Sequence, residues 1–389
     1  MAQKRFIKVA TPLAGEEEAS AVREVILSGN FISGRYVSEF EKAFADYIGV
    51  RGASAVNSGT AALHVALAAL GIGPGDEVIV PALTFMSTAT AVLHQNAIPV
   101  FADIDKDSFC ISPEDMEKRI TKRTRAIIPV HLYGNSAEME SLMEIARAHN
   151  LYVIEDCAQA HGTTYRGRKV GSIGDMGAFS FFATKHMTTG EGGMIVSDNA
   201  EWIQRANRIR SHGMVGRDDH VMLGYNYRMN EMAASMGLVQ LKKLDGFNER
   251  RIKNSKKILG ALKERDATWY QIPKVEEHIL HTFFWCPLLI REEAGVSLDE
   301  VVGRLNQKGV EVRQRYRVPL YRQKVIAQQR PYPKGCPFRC GNGDEIPDYS
   351  RSYLPNVEHL SGRIIGLPNH PGLSEDDVDY VIDTVSGLF

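Results

Sequence analysis

Four features of this sequence have types and spacings that suit one another chemically. Lys185 stands alone in a tip rich in Thr and Gly, between the apolar runs 178–182 and 194–197. Both runs read as buried strands. A lysine held between packed strands is partly desolvated, which lowers its pKa and makes the amine a nucleophile toward carbonyls. Gly190, Gly192 and Gly193 in the same tip permit positive φ and leave room for a bulky group beside the backbone. Asp156, 29 residues earlier, closes the apolar run 151–154, where a carboxylate can hold a proton on a heterocyclic nitrogen. Ser58-Gly59-Thr60 lies between a short strand and an Ala/Leu-rich helix, and the N–H groups and hydroxyls of such a helix start suit a phosphate. Phe85, after the strand 77–80, offers a plate for a flat ring. Taken singly, each has a plainer reading: a surface lysine, a helix cap, a core aromatic. Taken together they are what pyridoxal phosphate requires. The lysine forms a Schiff base, and the carboxylate keeps the pyridine nitrogen protonated so that the ring acts as an electron sink.

The elements that must position these residues alternate regularly. Helices are predicted at 15–28 and 36–48. Strands follow at 53–56, 77–80, 98–101, 125–130 and 151–154, each but the last followed directly by a helix. Short apolar strands alternating with helices predict an α/β fold: a mostly parallel sheet, covered on both faces, with binding residues at the carboxyl ends of its strands. A helix at 199–210, a polar loop at 211–228 and a long helical region at 229–264 come next. The expected division is a large domain, 1–249, and a smaller α+β domain, 250–389, with a strand at 283–290 and helices at 297–308 and 374–388. Segment 321–350 carries Pro331, Pro333, Pro337, Pro347 and two cysteines with little apolar periodicity, and reads as an ordered loop or lid.

Composition narrows the class. A chain of 389 residues that is 44% hydrophobic and 24% charged is expected to be globular, with two domains. A net charge of −1 gives no general pull toward nucleic acid or anionic membrane. No apolar run is long enough to span a bilayer, and the N-terminus is too polar for a signal peptide. Five cysteines without a paired framework suit a reducing cytoplasm.

In addition, the chain resembles the DegT/DnrJ/EryC1/StrS family of pyridoxal-phosphate-dependent sugar aminotransferases, a branch of the aspartate aminotransferase fold (fold type I). The likeness runs through Ser33–Phe40, Asn57-Ser-Gly-Thr-Ala-Ala-Leu63, Gly73-Pro-Gly-Asp-Glu-Val-Ile-Val-Pro81, Pro129-Val-His-Leu-Tyr-Gly134 and Glu155-Asp-Cys-Ala-Gln-Ala-His-Gly162. It continues through Phe179-Ser-Phe-Phe-Ala-Thr-Lys185, Gly190-Glu-Gly-Gly193, Gly224-Tyr-Asn-Tyr-Arg-Met229 and Leu367-Pro-Asn-His-Pro371. The run from Lys185 to Met194 is most similar to the GDP-perosamine-synthase-like branch. The resemblance implies that Lys185 carries the cofactor and shuttles a proton, and that Asp156 pairs with the pyridine nitrogen. Gln159 meets the ring hydroxyl, Gly59, Thr60 and Ser180 hold the phosphate, and Phe85 stacks on the ring. Asn226 reaches the cofactor phosphate of a second subunit, which implies a homodimer with shared sites.

The implied reaction has two halves. Glutamate leaves its amine as pyridoxamine phosphate, and a nucleotide-linked keto-sugar, here a 4-keto-6-deoxyhexose, takes it up. The substrate mouth is expected to hold His131, Tyr133, His186 and the stretch 313–317, with Arg313 and Tyr316. That stretch reads equally as a solvated charged loop. His186 is expected as a catalytic residue that touches a sugar hydroxyl or helps move a proton, with packing in the hairpin as its plainer reading. Rival readings are a keto-cyclitol (scyllo-inosose-type) aminotransferase, a pyridoxamine-phosphate-dependent sugar dehydratase and a non-catalytic regulatory homologue. His186 stands where many members carry Asn. In the related 3-dehydratases a histidine replaces the lysine itself, and here Lys185 is present. Cys336 and Cys340 fall short of a four-ligand metal site, so structural or free thiols are expected and no metal.

Overall fold

The structure, a computed structural model, describes residues 5–265, 268–333, 335–338 and 347–389. Helices α1 (Glu16–Ser28) and α2 (Arg35–Ile48) precede the first strand, β1 (Gly52–Val56). Then come α3 (Gly59–Ala69), β2 (Glu77–Pro81), α4 (Ser87–His94), β3 (Ile98–Ala102), α5 (Pro113–Lys118), β4 (Thr124–Ile127), α6 (Met139–Ala148) and β5 (Tyr152–Asp156). A small hairpin, β6 (Thr164–Tyr165) and β7 (Arg168–Lys169), leads to β8 (Met176–Ser180), β9 (Gly193–Ser197), α7 (Ala200–Ile209) and α8 (Glu231–Arg265).

Seven of these strands form one sheet in the order β1-β9-β8-β5-β4-β2-β3. Every neighbouring pair is parallel except those made by β9, which runs against both β8 and β1. The interior strands are continuous apolar runs because helices cover both faces: every residue of β2 and of β8 is buried. Helix α3 is buried almost all round, from Ala61 through Leu67. Its small alanines let it lie flat between the sheet and its neighbouring helices. The consequence for function is directional. β1, β2, β5 and β8 all end on one edge of the sheet, and Asn57–Thr60, Phe85, Asp156 and Ser180 lie at or just beyond those ends.

The second core gathers around a three-stranded antiparallel sheet, Tyr270–Gln271, Cys286–Ile290 and Ile364–Leu367. Helices Leu298–Gln307 and Glu375–Ser386, the far half of α8 and Ile7 complete it. Helix α8 passes through position 249 without a break, so a division there cuts a continuous helix. The 283–290 strand begins only at Cys286, since Phe283 takes a positive φ of 47°.

The described part of segment 321–350 packs on the large core. The Tyr349 hydroxyl donates to the Pro99 carbonyl at 2.6 Å, the Tyr321 hydroxyl donates to Glu358, and Phe338 is fully buried against Tyr349. Just ahead of the segment, Leu320 N–H donates to the Ala82 carbonyl beside the end of β2. Cys336 is disulfide-bonded, and Cys340 lies outside the described residues.

Candidate active site

The lysine tip is a turn held by its own backbone. Phe181 N–H donates to the Gly192 carbonyl at 2.8 Å and Thr189 N–H to the Phe181 carbonyl at 3.0 Å. Of the three tip glycines only Gly190 takes a positive φ (80°). Gly193 is required for room: a Cβ there would meet the Ser58 carbonyl oxygen at 2.4 Å. Lys185 is half-buried at this turn, with its amine 4.8 Å from the centre of the Phe284 ring. Burial pulls the amine down to about 8, the Asp156 carboxylate opposes that, and the Arg315 guanidinium adds to it.

Asp156 is buried at the end of β5. Its carboxylate accepts from the Thr88 hydroxyl at 2.9 Å and from Ala158 N–H at 3.1 Å. Burial raises its pKa, and those two donors and the Lys185 amine act against it. A protonated ring nitrogen opposite would favour the ionised form further. Gln159 is fixed at both ends: its Oε1 accepts from Tyr133 N–H at 3.2 Å, and its Nε2 donates to the Tyr316 hydroxyl at 3.0 Å.

The anion cradle forms where α3 begins. Ser58 caps the helix by accepting from Ala61 N–H at 3.1 Å. The Gly59 and Thr60 N–H groups head the first turn, with the positive end of the helix behind them. Gly59 lies so close to Ser180 that a Cβ would meet the Ser180 Cβ at 2.6 Å. The Thr60 hydroxyl pairs with that of Ser87 at 2.7 Å, which ties the start of α3 to the start of α4. Phe85 is 50% exposed just ahead of α4. Asn226 is exposed on a loop beside the cradle, where Asn57 N–H donates to the Tyr227 carbonyl at 2.8 Å. An amine, a buried carboxylate, an N–H cradle too tight for any residue but Gly and an exposed aromatic fit pyridoxal phosphate.

The structure corrects the predicted mouth. His131 is fully buried: its Nε2 lies 2.9 Å from Glu155 and its Nδ1 accepts from Ala137 N–H at 3.2 Å, so both ring nitrogens are engaged within the fold. Glu155 in turn accepts from the N–H groups of Gly171, Ile173 and Gly174. Burial raises its carboxyl, but the His131 ring and those N–H groups hold it below its usual range. Cys157 lies close enough to both to suggest a metal set, yet the lone pairs of His131 and Glu155 are already spoken for. Tyr133 is 1% exposed, and its hydroxyl donates to the Arg315 carbonyl. His186 is buried, its ring against those of His161 and Phe284. These three are packed beneath the site because the loops after β4 and β8 fold inward over the sheet edge.

Within 313–317 the roles also shift. Arg313 exchanges backbone hydrogen bonds with Gly366, and Arg317 is held by Asp299 at 2.9 and 3.0 Å. Tyr316 meets Gln159, and Arg315 is the exposed guanidinium that faces Lys185. Sequence reasoning missed Thr88, Ser87, Phe284 and the particular role of Arg315. Only the quoted basic stretch hinted at the last. Among the described residues, no helix is long and apolar enough to cross a membrane.

Comparison with known proteins finds relatives along the whole chain. The model of the DegT/DnrJ/EryC1/StrS aminotransferase family matches residues 12–340. The chain is 38% identical to the spore coat polysaccharide biosynthesis protein SpsC of Bacillus subtilis, over 100% of this chain and 99% of that protein. It is 39% identical to the GDP-perosamine synthase of Caulobacter vibrioides, over 97% and 96%. Among solved structures, NtdA from Bacillus subtilis with bound cofactor PMP superposes with a TM-score of 0.86 at 29% identity, covering 99% of this chain and 86% of that one.

Proposed function

Since the chain belongs to the DegT/DnrJ/EryC1/StrS aminotransferase family and is a pyridoxal-phosphate-dependent aminotransferase acting on sugars, we propose that it transfers the amine of glutamate to C4 of a nucleotide-linked 4-keto-6-deoxyhexose. When bound, the cofactor supplies a carbonyl that takes an amine and a ring that takes up the electron pair released at the substrate carbon. Lys185 Nζ holds the cofactor and moves the proton on and off the reacting carbon. Its amine, lowered to about 8, is partly neutral near neutral pH and so can act as a base. The Asp156 carboxylate, fixed by Thr88 and Ala158, keeps the ring nitrogen protonated, and Gln159 meets the ring hydroxyl. Gly59, Thr60 and Ser180 hold the phosphate, and Phe85 covers the ring. Asn226 serves the site of a partner copy, so the working unit is a homodimer, and a cytoplasmic one.

The observation that carries the substrate class is Arg315. It is an exposed residue whose charge acts on the Lys185 amine, and its carbonyl accepts from the Tyr133 hydroxyl. A planar fork there suits the diphosphate of a nucleotide sugar. The GDP-perosamine synthase relative supports the same choice over a keto-cyclitol. The test incubates the pyridoxamine-phosphate form with nucleotide-linked 4-keto sugars and with scyllo-inosose. Turnover of the former supports the reading, and turnover of scyllo-inosose alone ends it. Borohydride reduction followed by peptide mapping should place the cofactor on Lys185, and a label on any other lysine removes the mechanism.

A further inference from the structure

Behind Lys185 lies a second polar centre that this chemistry does not use. His161 comes from the loop after β5 and His186 from the lysine turn. His281 precedes the strand Cys286–Ile290, Asn369 and His370 follow Ile364–Leu367, and Asn248 and Arg251 come from α8. All are more than nine-tenths buried. Asn248 Nδ2 donates to the His161 carbonyl at 2.9 Å, and Arg251 Nη1 donates to the Asn369 carbonyl. The His161 and His186 rings lie 5.4 Å apart. Arg251 acts electrostatically on His161, His186 and His370, and His281 acts on His186.

Neither charge nor hydrogen bonding closes here from within the chain. Arg251 is a buried cation, and among the described residues no carboxylate pairs with it. The groups that face the centre are His161, His186, His281, His370 and Lys185, all neutral or cationic. Asp377 reaches only His370 and is already held by Arg5 at 2.6 Å and by the Ser374 hydroxyl at 2.8 Å. Removing a charge from water without a partner is costly. Arg251 Nε, both ring nitrogens of His161 and of His186, His370 Nδ1 and the amide oxygens of Asn248 and Asn369 have no hydrogen-bond partner. Buried polar atoms are normally satisfied, so a concentration of them marks a binding place. A neutral imidazole carries one N–H, so His161, His186 and Arg251 each hold a buried donor at this centre.

We propose that this centre binds a small monovalent anion of halide or nitrate size, with Arg251 as its counter-charge and the N–H groups of His161 and His186 as its donors. Burial holds His161 down at about 3 and His186 well below its ordinary value, so both rings stay neutral donors across physiological pH. Ordered water completes the two amide oxygens. The anion sits one residue behind Lys185. It therefore favours the ammonium form and raises the lysine's pKa, so halide and proton act on the same amine.

Two measurements on the holoenzyme test this. Crystals grown in bromide should show an anomalous peak within hydrogen-bond distance of Arg251 Nε and the two imidazoles. Thermal melting in sodium bromide, against sodium gluconate at matched ionic strength, should rise by about 2–4 °C for the native protein and stay unchanged for Arg251→Met. No anomalous peak at that point, with only water in the ordinary density, overturns the proposal. So does melting that is indifferent to halide, or a halide effect that survives in Arg251→Met. If Arg251→Met does not fold, the bromide map and the native melting series decide by themselves.

Discussion

Lys185 is poised by opposed influences: burial and the Arg315 guanidinium favour the neutral amine, and the Asp156 carboxylate favours the ammonium. Only the neutral amine attacks a carbonyl. The apoprotein should therefore load pyridoxal phosphate at a rate that climbs about tenfold per pH unit and levels off above about 8. Arg315→Met removes a neighbouring cation and should move the break upward. Asp156→Asn removes the anion and should move it downward. Stopped-flow absorbance of the loading reaction gives both directions. Asp156→Asn should also keep the fold and lose kcat. A charge-assisted hydrogen bond is worth about 1.5–3 kcal/mol, which corresponds to a loss of roughly 10- to 100-fold. The loss should fall on kcat rather than on stability, because the interaction strengthens as negative charge enters the ring. An Asp156→Asn protein saturated with cofactor and turning over normally would remove the carboxylate from the mechanism.

At the scale of elements, the site depends on carboxylates that stitch helices and turns together. Helix α2 has Gly34 at its start and no side-chain cap of its own. Glu231, at the start of α8, supplies the acceptor from 197 residues away, taking Gly34 N–H at 2.8 Å and the Tyr36 and Val37 N–H groups at 2.9 Å. This contact fixes the angle between α2 and the long helix that also carries Asn248 and Arg251. Glu231→Ala leaves those buried N–H groups unpaired and should cost about 3 kcal/mol. In urea unfolding this appears as a lower midpoint at unchanged slope. Glu155 does the same for the turn 171–174. Its depressed pKa means that its contribution is fully present above its unfolded value of 4.5 and is lost as pH falls through the lower folded value. Acid unfolding should accordingly begin below about pH 4.5, later in Glu155→Gln than a native-like loss would give, since the amide has no titration to lose. Circular dichroism against pH separates the two curves.

At the scale of the molecule, the loop 313–317 meets the sheet edge of the large core, Gln159 donating to the Tyr316 hydroxyl at 3.0 Å. The exposed Asn226 belongs to the proposed partner site. Mixing Lys185→Ala with Asn226→Ala, each sharply impaired alone, should restore a fraction of activity after subunit exchange. One site of the hybrid then has both residues intact. Full activity of a monomer at nanomolar concentration would contradict shared sites, and analytical ultracentrifugation of the same samples supplies the mass.

What the sequence determined by itself is whatever depends on local periodicity and on groups fixed to strand ends. The alternation of apolar runs with amphipathic helices specified the parallel sheet, because burial on both faces forces continuous Val and Ile runs. Strand direction then placed Asp156, Ser180, Gly59 and Phe85 on one edge. The tertiary structure alone decided what distance along the chain conceals. Thr88 meets Asp156 across 68 residues and the Arg315 charge acts on Lys185 across 130, and no periodicity encodes such pairs. Whether His131, Tyr133 and His186 stand at a mouth or lie beneath it depends on how loops fold over the sheet edge. Neighbouring packing and the donors left to each ring settle that, and residue type does not.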